Sequence, residues 1–157
     1  MNFKSSKKLL FIFSFFFLFF SCESSKTLNK NNISKISMEL TTLGNSSHFV
    51  ITKDNTLATF SVKGASNSEK RTIKRTTISK NWNKIIQLIN DLNLNEMENW
   101  SAPSQQFLYD GARATVITLT INGQNYHSLP FDEGNPPSEL NELYTVLETI
   151  LNELTEN

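Results

Sequence analysis

The chain has 157 residues, 38% of them hydrophobic and 19% charged, with 15 basic and 15 acidic side chains. That length sets a single domain, and five glycines with four prolines exclude collagen-like and low-complexity chains. Eight of the twelve phenylalanines stand in the first twenty positions, which marks the N-terminus as a separate element.

Lys4, Lys7 and Lys8 precede residues 9–20 (LLFIFSFFFLFF), apolar except for Ser14, and Ser21-Cys22 follows. A basic head, a short apolar run and a small residue before the break form the layout of a secretory signal. A spanning helix needs about 20 apolar residues to cross the hydrocarbon layer, and a run of twelve is too short. A buried core helix fits poorly, because the run has no polar face and follows a lysine cluster. The segment Phe19-Phe20-Ser21-Cys22 resembles the lipobox of bacterial lipoproteins, and the phenylalanine-rich run before it resembles lipoprotein signals of Bacteroidota. The resemblance implies a diacylglyceryl group on the Cys22 thiol and cleavage just before Cys22, with or without acylation of the new amino group. One myristoyl chain holds a protein at only about 10⁴ M⁻¹, whereas two or three chains hold it for its lifetime. With Cys22 consumed, no thiol remains for catalysis, zinc or a disulfide.

Removing residues 1–21 takes three lysines away and leaves 12 basic against 15 acidic side chains, formally −3. Residues 22–35 are polar apart from Leu28 and Ile33 and read as the lipidated cysteine with a tether reaching about 20 Å. Residues 36–157 read as one domain. In it, Ile36, Met38 and Leu40 alternate with polar residues before Gly44-Asn45. Phe49 and Ile51 alternate next, then Ala58, Phe60 and Val62 after a turn at Asp54-Asn55, which predicts a hairpin. Residues 69–78 are rich in Thr and Ile, a further strand with imperfect alternation. Ser79 can cap a helix carrying Trp82, Ile85, Ile86, Ile89 and Leu92 as one apolar stripe.

The second half has the same rhythm. Residues 112–121 (ARATVITLTI) are rich in β-branched side chains, and Asn122-Gly123 is the strongest short hairpin signal. A two-residue loop there pairs Ile121 with Gln124, Leu119 with Tyr126 and Thr118 with His127. Ile117, Leu119, Ile121 and Tyr126 then share one face, and His127 falls on the more polar one. After Asn135-Pro136-Pro137, the residues Leu140, Leu143, Tyr144, Leu147, Ile150, Leu151 and Leu154 recur at helical spacing, with Glu139 and Glu142 near the start suiting the helix dipole. The expectation is a single α+β domain in ββ(β)α-ββα order, an antiparallel sheet with two amphipathic helices packed on one face.

Charge is unevenly placed. Residues 63–84 hold seven Lys/Arg (Lys63, Lys70, Arg71, Lys74, Arg75, Lys80, Lys84) against Glu69, and beyond Arg113 there are seven acids and no Lys or Arg. This reads as a solvated strand and helix face, or as a basic ridge for anionic lipid heads or an acidic partner. Nucleic acid is excluded as a partner by the acidic total, the lack of aromatics among the basics and the address.

Catalytic patterns are missing from the sequence. No G-x-S-x-G, P-loop, dinucleotide or H-E-x-x-H pattern is present, and the histidines are His48 and His127 alone. Two loops stand out. Tyr109-Asp110-Gly111-Ala112-Arg113 enters the second hairpin, and Phe131-Asp132-Glu133-Gly134-Asn135 leaves it. Asp110, Arg113, Asp132 and Glu133 are thus brought to one corner. That corner is structural, with Asp132 bonding local backbone or Arg113 pairing with Asp132 or Asp110, or it is a recognition site, or a calcium site if Asp110, Asp132 and Glu133 converge.

From Ala102-Pro103-Ser104 through Asp110-Gly111-Ala112, Tyr126 and Phe131-Asp132 to Gly134-Asn135-Pro136-Pro137, Leu140 and Leu143, the chain resembles a family of uncharacterised Bacteroidota lipoproteins. Glu133 stands where that pattern carries a histidine. The resemblance implies an envelope address, lipid-anchored at the outer membrane on its periplasmic or its surface side, and carries over no catalytic residue. The expected function is a membrane-anchored, non-enzymatic binding or interaction module for an envelope protein, glycan or lipid, with no metal and no cofactor beyond the lipid on Cys22. The alternative is a small envelope hydrolase or metal-dependent enzyme using His127 with Asp132 or Glu133.

Overall fold

Alternating apolar and polar residues give strands where one sheet face is buried, and the first half of the chain does this four times. In the computed structural model, which describes residues 32–63, 68–109 and 111–156, β1 (Ile33–Thr41), β2 (Asn45–Ile51), β3 (Asn55–Lys63) and β4 (Ser68–Thr76) form an antiparallel meander. The helix α1 (Ser79–Asp91) follows, then a 3₁₀ segment Leu94–Asn99. The second half supplies β5 (Ala114–Ile121), β6 (Gln124–His127), a two-residue β7 (Phe131–Asp132) and the helix α2 (Asn141–Thr155). β5 lies beside β1, so the sheet order is β4-β3-β2-β1-β5-β6, with β7 paired to β5. The chain is a single α+β domain built on an antiparallel sheet.

The β5–β6 hairpin turns on Asn122 and Gly123, both with positive φ (53° and 79°). This is a geometry that Asn-Gly suits, and the register is Ile121 to Gln124, Leu119 to Tyr126 and Thr118 to His127. The core face joins Ile36, Met38 and Leu40 of β1 to Phe49 and Ile51, to Ala58, and to Ile117, Leu119, Ile121 and Tyr126, all buried. Trp82, Ile85 and Ile89 of α1, with Leu143, Leu147, Ile150 and Leu154 of α2, complete the same core. The other sheet face carries Lys35, Glu39, Ser46, His48, Thr59, Thr118 and His127, each partly or fully exposed.

Several details differ from the sequence reading. Four strands precede α1, as the four runs along the chain mark them, one more than the ββ(β)α order counts. The first begins at Ile33, inside the stretch read as tether, because Ile33 is buried against the end of β5 across a register shift. Ser79 is the first helical residue rather than the cap, which is Ile78, and Ile78 makes no side-chain cap bond. Ile86 is half-buried, at the rim of the α1 stripe. The 3₁₀ segment between the two halves had no sequence signal, yet it contributes Leu94 and Met97 to the core, with Trp100 just beyond it. Residues 1–31, with the signal and Cys22, lie outside the described residues, as does Asp110. No helix among the described residues is long and apolar enough to cross a membrane.

Candidate functional site

The corner around residues 131–137 is set by the short β5–β7 ladder, in which Ala114 faces Asp132 and Thr115 faces Phe131. The backbone extends it by one step, since the Glu133 amide donates to the Arg113 carbonyl at 2.9 Å. Residues opposite one another across two strands share a face, so Arg113 meets Glu133, at 3.1 Å between Nη1 and Oε1. Sequence alone pairs Arg113 with Asp132 or Asp110, and the structure gives Glu133 instead of Asp132. The hairpin register, carried past His127, would have set Asp132 opposite Arg113; a one-residue shift between Ser128 and Phe131 moves Glu133 there. Ser128 marks the shift: its amide donates to the Ile117 carbonyl at 2.9 Å, and its hydroxyl accepts from the Ile117 amide at 3.0 Å. Both members of the ion pair are solvent-exposed, and such a pair contributes about 0–1 kcal/mol.

Asp132 points the other way and is buried. One carboxylate oxygen accepts the Ser104 hydroxyl and the Gln106 amide (2.9 Å), while the other accepts the Phe107 amide at 2.7 Å. Burial alone would raise the carboxyl; the Ser104 hydroxyl and the two amides outweigh it and hold Asp132 below the ordinary carboxylate value. Asn135 adds a bond from Nδ2 to the Ser104 oxygen at 2.7 Å. The 104–107 loop is therefore pinned to β7 through one carboxylate.

A second tie runs to α2. The Gly134 amide donates to the Tyr144 hydroxyl at 2.9 Å, and that hydroxyl donates to Glu148 at 3.1 Å. Gly134 takes a positive φ of 81°, a conformation open to glycine at little cost. Burial, reinforced by the Glu148 carboxylate and the charge of Glu133, pushes the Tyr144 hydroxyl up to about 12 against the pull of the Gly134 amide. Phe131 packs edge-on against the Tyr144 ring, with centroids 5.7 Å apart.

The histidines lie elsewhere. His127 is exposed on the sheet face away from the helices, with Nδ1 3.0 Å from the Thr118 hydroxyl. Thr118 and Ala114 are four positions apart on β5, so His127 and Asp132, their partners, stand roughly 13 Å apart at 3.3 Å per residue. Direct hydrogen bonding needs about 3 Å. His48 is exposed on β2, opposite Glu39 of β1 and Thr59 of β3. Among the described residues no three His, Cys, Asp or Glu side chains converge as a metal site would need.

Of the four corner residues named from sequence, the structure brings Arg113 and Glu133 into contact, turns Asp132 inward, and does not describe Asp110. The sequence reading missed Ser104 and Tyr144 as members of the network. Ser104 lies inside the quoted Ala-Pro-Ser stretch, and Tyr144 is the one residue of the α2 stripe with a polar tip.

No family model, no curated protein and no solved structure matches this chain.

Proposed function

We propose that the chain is a lipid-anchored module of the bacterial cell envelope that acts by binding an envelope protein, glycan or lipid and does no chemistry of its own. The sequence supports the anchor through the lysine-rich head, the apolar run of twelve and Ser21-Cys22. One observation carries the choice of binding over catalysis: both oxygens of Asp132, the best-placed carboxylate, are occupied by donors from residues 104–107. A buried carboxylate that accepts three donors from one loop holds that loop in place, and the same donors lower its pKa and so weaken it as a general base.

Labelling with a palmitate analogue, followed by membrane fractionation, tests the anchor. The wild-type chain is expected to label and to stay with membranes, and Cys22→Ala to lose both properties. Unlabelled wild-type protein in the soluble fraction would sink the reading.

A further inference from the structure

The charge asymmetry of the sequence acquires a location in the fold. β4 is the end strand of the sheet and pairs with β3 alone among the described strands. It carries Lys70, Arg71, Lys74 and Arg75 against one acid, Glu69. Arg75 is held, its Nη1 donating to the Glu153 carbonyl at 3.0 Å near the C-terminal end of α2. Beyond that helix end the described residues leave the core face of the sheet open. Phe60, Val62 and Ile73 floor a groove of about 710 Å³ there, edged by Glu69, Lys70 and Arg71. Val62 is 51% exposed, unusual for an apolar side chain on the face that packs the core.

We propose that this strand docks edge-on on the anionic lipid surface of the membrane that holds the anchor, with phosphates meeting Arg71 on the core-face side, next to the Phe60–Val62–Ile73 floor, and Lys70 and Lys74 on the opposite side of the strand. The proposal deepens, and rests on, the anchored-module reading. The charge pattern supports it: the chain from Cys22 onward is formally −3, and beyond Arg113 there are seven acids and no Lys or Arg. A negative surface therefore repels the molecule in most orientations and attracts it with β4 facing the lipid. The attraction acts within a Debye length, about 8 Å at physiological salt, so it needs the anchor to bring the domain close. Geometry allows this. β4 lies three strands from β1, roughly 14 Å away at 4.8 Å per strand. The 11 steps from Cys22 to Ile33 reach about 36 Å when extended.

The test is amide hydrogen exchange of the mature protein on vesicles of phosphatidylcholine alone and of phosphatidylcholine mixed with phosphatidylglycerol. On the mixed vesicles the β4 amides are expected to exchange more slowly than on phosphatidylcholine alone. High salt abolishes the difference, and replacing Lys70, Arg71 or Lys74 by Gln weakens docking roughly five-fold per side chain. Equal rates on the two vesicle types overturn the proposal. So does slowing by poly-glutamate in solution with none on the mixed vesicles, which would assign the edge to an acidic polypeptide. The salt titration uses the native chain, so the result stands even where a variant folds poorly. Protein recovered without lipid would contradict the anchor; coupling Cys22, the single cysteine of the chain, to a maleimide lipid restores the tether, and the same vesicle comparison then decides the docking.

Discussion

The Asp132 carboxylate accepts the Phe107 amide at 2.7 Å across 25 residues of sequence, and this bond fixes a loop that has little else to order it. Residues 101–109 contain one short 3₁₀ turn, Gln106–Leu108, with no buried residue of its own. The donors that reach Asp132 come from that turn and from Ser104 just before it. Asp132→Asn keeps the shape, removes the charge and replaces one acceptor oxygen with a donor that faces another donor. It is expected to lower the denaturant midpoint with the slope unchanged and to speed amide exchange at Gln106 and Phe107. Because Asp132 is held below the ordinary value of 3.8, its contribution is present above that pH and is lost as pH falls through the folded-state pKa. The wild-type and Asp132→Asn stability curves should therefore converge in acid.

Tyr144→Phe removes one oxygen and leaves the Gly134 amide without its acceptor. A lost partner of this kind costs about 1–3 kcal/mol, measured by equilibrium unfolding at neutral pH. The pH dependence has a definite sign. The hydroxyl titrates near 10 when unfolded and at about 12 when folded, so its share of stability is intact below pH 10 and disappears as pH rises towards 12. The Phe variant should lack that alkaline loss.

The two helical stripes differ in depth. Leu147 is fully buried, whereas Ile86 is half-buried at the rim. Leu147→Ala is expected to cost about 2–5 kcal/mol, as buried large-to-small changes do, and Ile86→Ala less. Equal and small losses at both positions would show that α2 does not seat on the sheet.

Thr115 lies on the core face between Leu40 and Phe131 in register, fully buried, with no hydrogen-bond partner for its Oγ1. A buried unpaired hydroxyl costs about 1–3 kcal/mol. Thr115→Val keeps the β-branched shape and should raise thermal stability, readable as a higher unfolding midpoint in calorimetry.

Much of the fold was legible because its signals are local. The period-2 runs at Ile36–Met38–Leu40 and Ile117–Leu119–Ile121, the Asn122-Gly123 turn and the two apolar stripes each specify an element and its buried side without reference to the rest of the chain. The corner was legible only in part. Loop charges beside the hairpin mark Arg113, Asp132 and Glu133, but which of them meet depends on the single-residue shift after His127. Nothing in Ser128-Leu129-Pro130 announces that shift beyond a proline that cannot donate to a ladder. The Ser104–Asp132 bond joins segments 28 residues apart, the Gly134–Tyr144 bond runs from a turn into the helix ten residues on, and no local periodicity carries either piece of information.

Intact-mass measurement of the protein extracted from its membranes tests the lipid anchor at Cys22 most directly. The predicted species begins at Cys22 and carries the mass of a diacylglyceryl group, with or without a further acyl chain on its amino group. A chain that keeps residues 1–21, or that begins at Cys22 with an unmodified thiol, would contradict it.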